Sequence, residues 1–257
     1  MKLDKTVVTT KEIIISGDIN TQLLGLTEQH IVSIPQTAQQ TKPCQQVSVH
    51  KLMLPAFTAL KNKAEKSGIE LTIASGFRSF ERQLNIWNNK FSGKLAIKDI
   101  HGKAIDINKL TDNEIVNAIL LYSALPGASR HHWGCDIDVY APNLLNTDQA
   151  LQLEPWEYKT GGPMEKLSCW LDVNANKFGF YFPYNAYRGG IATEPWHLSF
   201  APIALQYQHN FKLTTLEDIL TKTDILGKEV IINNLSEIYT RFINNINPYD
   251  FTRSSNG

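Results

Sequence analysis

The run Cys135-Asp136-Ile137-Asp138-Val139-Tyr140 constrains this chain more than any other stretch. Successive side chains of a strand point to opposite faces. Cys135, Ile137 and Val139 therefore share one face, and Asp136, Asp138 and Tyr140 share the other. The apolar face can enter a core only if both carboxylates point into a cleft. The chain must then fold around one strand that is core on one side and polar site on the other.

The remaining pattern supplies elements to pack on that strand. Short strands are predicted at Thr6–Thr9 and Glu12–Ser16, and the Gln-, Thr-, Ser- and Pro-rich stretch 33–48 reads as a surface connection. Leu52, Phe57, Leu60 and Ala64 recur at near-helical spacing between Val49 and Ser67, with Pro55 near the first turn and Gly68 at the far end. A strand is expected at 70–75 and a helix around Phe80–Phe91. A further helix at 112–123 opens on Thr111 with Glu114 three residues later, a capping box, and carries the stripe Ile115, Ala118, Ile119 and Tyr122. Residues 163–178 read as helix and 197–200 as strand. The tail 214–246 reads as two amphipathic helices broken near Leu226–Gly227. The expected class is α+β, a small, mostly antiparallel sheet flanked by helices, with the cleft on the sheet and additional C-terminal helices. Its expected parts are an N-terminal extension (1–48), a central domain (49–210) and a C-terminal helical extension (211–257), forming one compact unit.

Charge excludes several partners. Lysine and arginine number 25 against 25 aspartates and glutamates, so no basic excess exists to neutralise a phosphate backbone, and nucleic acid is not an expected partner. No apolar run approaches the ~20 residues of a membrane span. The N-terminus offers only Ile13 to Ile15 where an export signal needs roughly 7–15 apolar residues. Cys44, Cys135 and Cys169 are too scattered for a disulfide framework. These features predict a cytoplasmic protein, or a periplasmic one if an export signal has been removed. They say nothing of oligomeric state.

Three polar clusters carry the chemistry: Ser75–Ser79 with Gln83, Ser129–Asp138, and 194–200. A catalytic zinc site takes three protein ligands and keeps one position open, with a separate carboxylate to accept a proton. His131, Asp138 and His197 can supply the ligands and Glu194 the base. Arg78, in a turn between a strand and a helix, can pair with a carboxylate through its fork of donors.

Those clusters stand here as Ser75-Gly76-Phe77-Arg78-Ser79 with Gln83; Ser129, His131, Gly134 and Asp138; and Glu194-Pro195-Trp196-His197. Together, in that order and over roughly residues 70 to 200, they resemble the VanY-like zinc D,D- and L,D-carboxypeptidases, which trim terminal D-alanine from peptidoglycan peptides. The resemblance implies one zinc per chain held by His131, Asp138 and His197, with Glu194 as general base. It implies that Arg78, Gln83 and Ser129 hold the C-terminal end of a peptidoglycan-derived peptide and that Trp196 walls the pocket. A tyrosine before the last cluster joins it in many relatives, for which Tyr181 is the choice here. Many relatives carry a small residue where this chain has Asp136, and that second carboxylate could orient a histidine or alter substrate fit.

Other polar residues have plainer readings. His132 has the wrong spacing to be the ligand and is read as supporting the cleft. Cys135 faces the core, where a thiol is inert. His30, His50, His101 and His209 sit in no pattern and are read as structural or surface groups. A cytoplasmic D,D-enzyme would destroy the pentapeptide precursors of cross-linking, so the expected activity is L,D-cleavage of recycled tetrapeptides. The alternatives are D,D-cleavage of pentapeptides, an L-alanyl-D-glutamate endopeptidase, and an inactive binding protein on the same zinc fold.

Overall fold

The computed structural model describes residues 15–35, 46–146 and 148–252. The strand predicted at Thr6–Thr9, most of the one at Glu12–Ser16, and Cys44 lie outside the described residues. A short helix α1 (Ile19–Leu23) is capped by Asp18 and followed by two paired strands, β1 (Ile31–Pro35) and β2 (Gln46–His50). The stretch 33–48, expected as a connection, thus begins and ends in strand. Its polar character misleads because Ser33 and Ser48 lie opposite each other and join their hydroxyls across the pair at 2.9 Å. Helix α2 (Leu54–Glu65) starts later than its spacing predicts, since β2 takes Val49 and His50; Pro55 sits in its first turn as expected.

Then come β3 (Thr72–Ser75) and α3 (Phe80–Phe91), whose Ser79 hydroxyl accepts from Arg82 N at 3.2 Å. A small hairpin, β4 (Ile97–Lys98) and β5 (Ala104–Ile105), leads to α4 (Asp112–Leu120), where the Thr111–Glu114 capping box is complete. The chain continues through β6 (Asp136–Tyr140), α5 (Glu165–Asn174), β7 (Phe180–Tyr181) and β8 (His197–Phe200). Helix α6 (Ala201–Asn210) buries Ala201, Ile203, Ala204 and Tyr207. The tail forms α7 (Leu213–Lys222), a break ending at Gly227, then α8 (Lys228–Asn233) and α9 (Leu235–Ile238). The second predicted helix is therefore divided at Asn234, whose side chain donates back to Val230 O at 2.8 Å.

The main sheet is antiparallel, in the order β3-β6-β8-β7. Cys135, Ile137 and Val139 are fully buried, as the alternation requires, and join Phe57 and Leu60 of α2 in one core. Leu216, Leu220 and Ile231 of the C-terminal helices belong to that same cluster. The fold is α+β, with small antiparallel sheets flanked by helices.

Candidate active site

Strand register does most of the assembly. Asp138 lies opposite His197 across β6 and β8, and opposite Ser75 across β3 and β6. The second and third sequence clusters are thereby brought together, and the first begins where β3 ends. His131 enters from the tight turn Arg130–Trp133 just before β6. That turn closes on Gly134 at φ 67, where a Cβ would lie 2.5 Å from Ile31 Cδ1 and 2.9 Å from His50 N. Gly76 is needed for a similar reason: a Cβ there would collide with the Ser48 carbonyl oxygen. Its own carbonyl is used, lying 2.9 Å from His131 Nδ1.

The hydrogen bonds fix which ring nitrogen faces the centre. His131 donates Nδ1–H to Gly76 O, which leaves Nε2 directed at Asp138 Oδ2, 3.4 Å away. His197 has Nε2 at 3.0 Å from Asp136 Oδ1 and Nδ1 at 3.1 Å from Asp138 Oδ1. One donor atom from each of His131, Asp138 and His197 lies within 4.8 Å of the others, and among the described residues no other such group of three is found. Glu194 Oε2 stands outside this trio, 3.6 Å from His197 Nδ1.

Electrostatics divide the two imidazoles. Burial holds His131 down at about 4, against the pull of Asp138. Burial also opposes charging of His197, but hydrogen bonds to Asp136 and Asp138 outweigh it and raise that ring to about 10. A proton held between His197 and Asp138 sits where a metal cation would displace it. Burial pushes the Glu194 carboxyl up to about 7, with His197 opposing and Asp138 reinforcing the shift. The donor set therefore suits a divalent metal of the zinc type: two neutral imidazole nitrogens and a carboxylate, each ring steadied from behind.

Arg78, Ser129 and Trp196 line the cleft with these groups, in a volume of about 360 Å³. Two expected residues do not. Gln83 is fully buried and touches the cleft only through Arg78: its Oε1 accepts from Nη1 at 2.8 Å, and its Nε2 donates to Ala124 O at 2.7 Å. Both ends of the amide are occupied, so it positions the guanidinium. Tyr181 lies behind the site, its hydroxyl 3.2 Å from Arg130 Nη2; the tyrosine on the cleft is Tyr184, whose ring is centred 5.0 Å from that of His197. Tyr181 is the last residue of the two-residue strand β7, which ends before the chain reaches the cleft.

Asp136 does not share the cleft with Asp138. It is fully buried, bound by Arg130 Nε at 2.7 Å and by His197 Nε2. Arg130 passed unnoticed in the sequence because a buried arginine there has meaning only once Asp136, Ser199 and Gln208 surround it. His132 is also explained: Nδ1–H donates to Arg78 O at 2.6 Å and Nε2 accepts from Gly127 N at 3.0 Å, so a neutral ring braces the Arg78 loop.

Two imidazoles and a carboxylate facing one another, beside a carboxyl that titrates near neutrality, are the equipment of a metal-assisted hydrolase. The chain belongs to the VanY family: the family description, D-alanyl-D-alanine carboxypeptidase, matches residues 46–203. Membership makes it a carboxypeptidase acting on peptidoglycan peptides. It is 37% identical over 121 residues to an uncharacterized protein of Haemophilus influenzae, covering 46% of this chain and 92% of that one. It is 26% identical over 152 residues to D-alanyl-D-alanine carboxypeptidase of Enterococcus faecalis, covering 58% of this chain and 47% of that one. Among solved structures it is similar to VanYB in complex with D-alanine-D-alanine, with a TM-score of 0.46 and 22% identity, over 74% of this chain and 94% of that one.

Proposed function

We propose that this protein is a zinc carboxypeptidase that removes the terminal D-alanine of peptidoglycan tetrapeptides, an L,D-cleavage leaving tripeptides. The observation that carries the reading is the convergence of His131, Asp138 and His197 within 4.8 Å, with Glu194 beside them and outside the trio. His131 Nε2, His197 Nδ1 and the Asp138 carboxylate would hold the metal. The chemistry a bound zinc supplies is Lewis acidity toward a carbonyl and acidification of water to a pKa of about 7.

The chain's own residues do the rest. Glu194 takes a proton from the attacking water and gives it to the departing amine nitrogen, a task suited to a carboxyl pushed up to about 7. Arg78 pairs with the substrate's terminal carboxylate, held in place by Gln83 and by the His132 brace on its carbonyl. Ser129 and Trp196 border the same end of the peptide. The cleft also runs past Lys90, Lys98 and Glu154, which suits a long polar side chain before the scissile bond better than a methyl group. In a cytoplasmic setting an L,D-cut would spare pentapeptide precursors and act on recycled fragments. The family description favours D,D-cleavage as the second reading.

Incubating the zinc-loaded protein with disaccharide tetrapeptide and pentapeptide, and weighing the products, tests the assignment. Faster loss of one alanine from the tetrapeptide is expected. Preference for the pentapeptide would move the assignment to D,D-cleavage, and loss of alanine from neither would overturn it.

A further inference from the structure

Two cations line the cleft with only neutral oxygens for partners among the described residues. Arg78 reaches Gln83 Oε1 and, at 3.4 Å, Ser75 Oγ. Lys90 stands two helical turns beyond Gln83 on the same face of α3, and its Nζ donates to Ser123 Oγ at 2.6 Å. Burial first, and then Arg78, lower the Lys90 ammonium, while Glu194 pulls the other way, so all three groups feel one another across the cleft. A partly desolvated ammonium answered only by a hydroxyl is poorly compensated, which is the condition of a receptor waiting for an anion.

Further along, Lys98 of β4 meets Glu154. The backbone there is tied to one carboxylate. Glu157 accepts from Gln152 N at 3.1 Å and from Glu154 N at 2.9 Å, and Leu153 between them is the one non-glycine residue at positive φ among the described residues, at 55°. The wall thus presents a cation and an anion side by side, next to a second cation.

A peptide bound for removal of its last residue brings one terminal carboxylate, and Arg78 accounts for it. We propose that Lys90, with the Lys98–Glu154 pair beside it, forms a subsite for a second carboxylate, carried on the side chain of the residue before the scissile bond. The chemistry that fits is the α-amino-acid end of a diamino-dicarboxylic residue, its carboxylate on Lys90 and its ammonium on Glu154. This rests on the carboxypeptidase reading of the same cleft.

The test compares kcat/KM for three peptides ending in D-alanine that differ only in the preceding residue: a diamino-dicarboxylic acid, its side-chain carboxamide, and lysine. The protein is expected to favour the acid by about tenfold or more, the size of one charge-assisted hydrogen bond. Lys90→Met should bring the three within about threefold, and Lys90→Arg, which keeps the charge, should retain the preference. An undiminished preference in Lys90→Met overturns the subsite. So does an equal loss on all three peptides, which would place Lys90 on the terminal carboxylate. Calorimetry of the same peptides on Glu194→Ala separates the two readings: tighter binding of the acid without turnover by the parent protein keeps the subsite and removes the carboxypeptidase. Equal binding, or none, removes the subsite.

Discussion

His197 is held from behind by a charge pair. Asp136 Oδ1 accepts from both His197 Nε2 and Arg130 Nε, while Arg130 spreads its other donors to Gln208, Tyr181 and Ser199. Removing Asp136 takes away the acceptor that orients the ring and leaves Arg130 buried without its carboxylate. Asp136→Ala is expected to weaken zinc binding by about 10–100-fold, read by competition with a chelator, and to lower the unfolding free energy by about 3–5 kcal/mol. Asp136→Asn keeps an oxygen for His197 but loses the charge, so its stability should fall while its zinc affinity falls less. Unchanged affinity in the alanine variant would show that the ring is oriented by something else. Glu194 has the opposite profile, because it stands outside the trio proposed to hold the metal. Glu194→Ala should bind one zinc per chain by elemental analysis yet lose about two to four orders of magnitude in turnover; normal turnover would remove it as the base.

The elements matter through register and close approach. The tight turn carrying His131 must pass against β2, and Gly134 at φ 67 is what lets it. Gly134→Ala adds about 1–3 kcal/mol of backbone strain, and its Cβ meets the backbone nitrogen of His50 at 2.9 Å. Urea unfolding should show a loss at least that large; wild-type stability would mean that β2 can yield. Much of this level is legible in the sequence. The alternation of 135–140 places Cys135, Ile137 and Val139 in the core, and the capping box at Thr111 marks the start of α4. Alternation assigns a face but not an environment, so it cannot distinguish Asp138 in a cleft from Asp136 sealed beneath it. Nor can spacing show that Gln83 is covered by Arg78 or that β7 stops short of the cleft, since both depend on neighbours distant in the chain. The strands β1 and β2 escape notice for the same reason: a serine pair that looks like loop becomes a cross-strand hydrogen bond only when the partner strand is present.

At the scale of the whole molecule, two histidines outside the site join segments far apart in sequence. His50, on β2, accepts from Leu52 N at 3.2 Å through Nδ1, and its Nε2 lies 3.3 Å from the Tyr207 hydroxyl of α6. That hydroxyl donates to Gln22 Oε1 on α1 at 2.5 Å, so it must accept from a His50 protonated on Nε2 alone. The ring of His30 packs beside it, centroids 5.2 Å apart, and beside Phe77 and Tyr207. Burial lowers His30 to about 4, and burial with His30 nearby lowers His50 to about 3, against 6.5 for the free side chain. Above pH 6.5 both rings are neutral folded or unfolded, and they impose no penalty. As pH falls below 6.5 the unfolded chain takes up protons that the folded chain refuses, so each ring removes about 1.4 kcal/mol per pH unit until its own folded pKa is reached. Urea unfolding should therefore show a marked loss of stability from pH 7 to pH 4.5. The ring protons of His30 and His50 should stay at their neutral chemical shifts down to pH 5. Titration of either ring near 6.5 in the folded protein would mean that the junction of α1, β2 and α6 is wet and that these histidines do not set the acid limit.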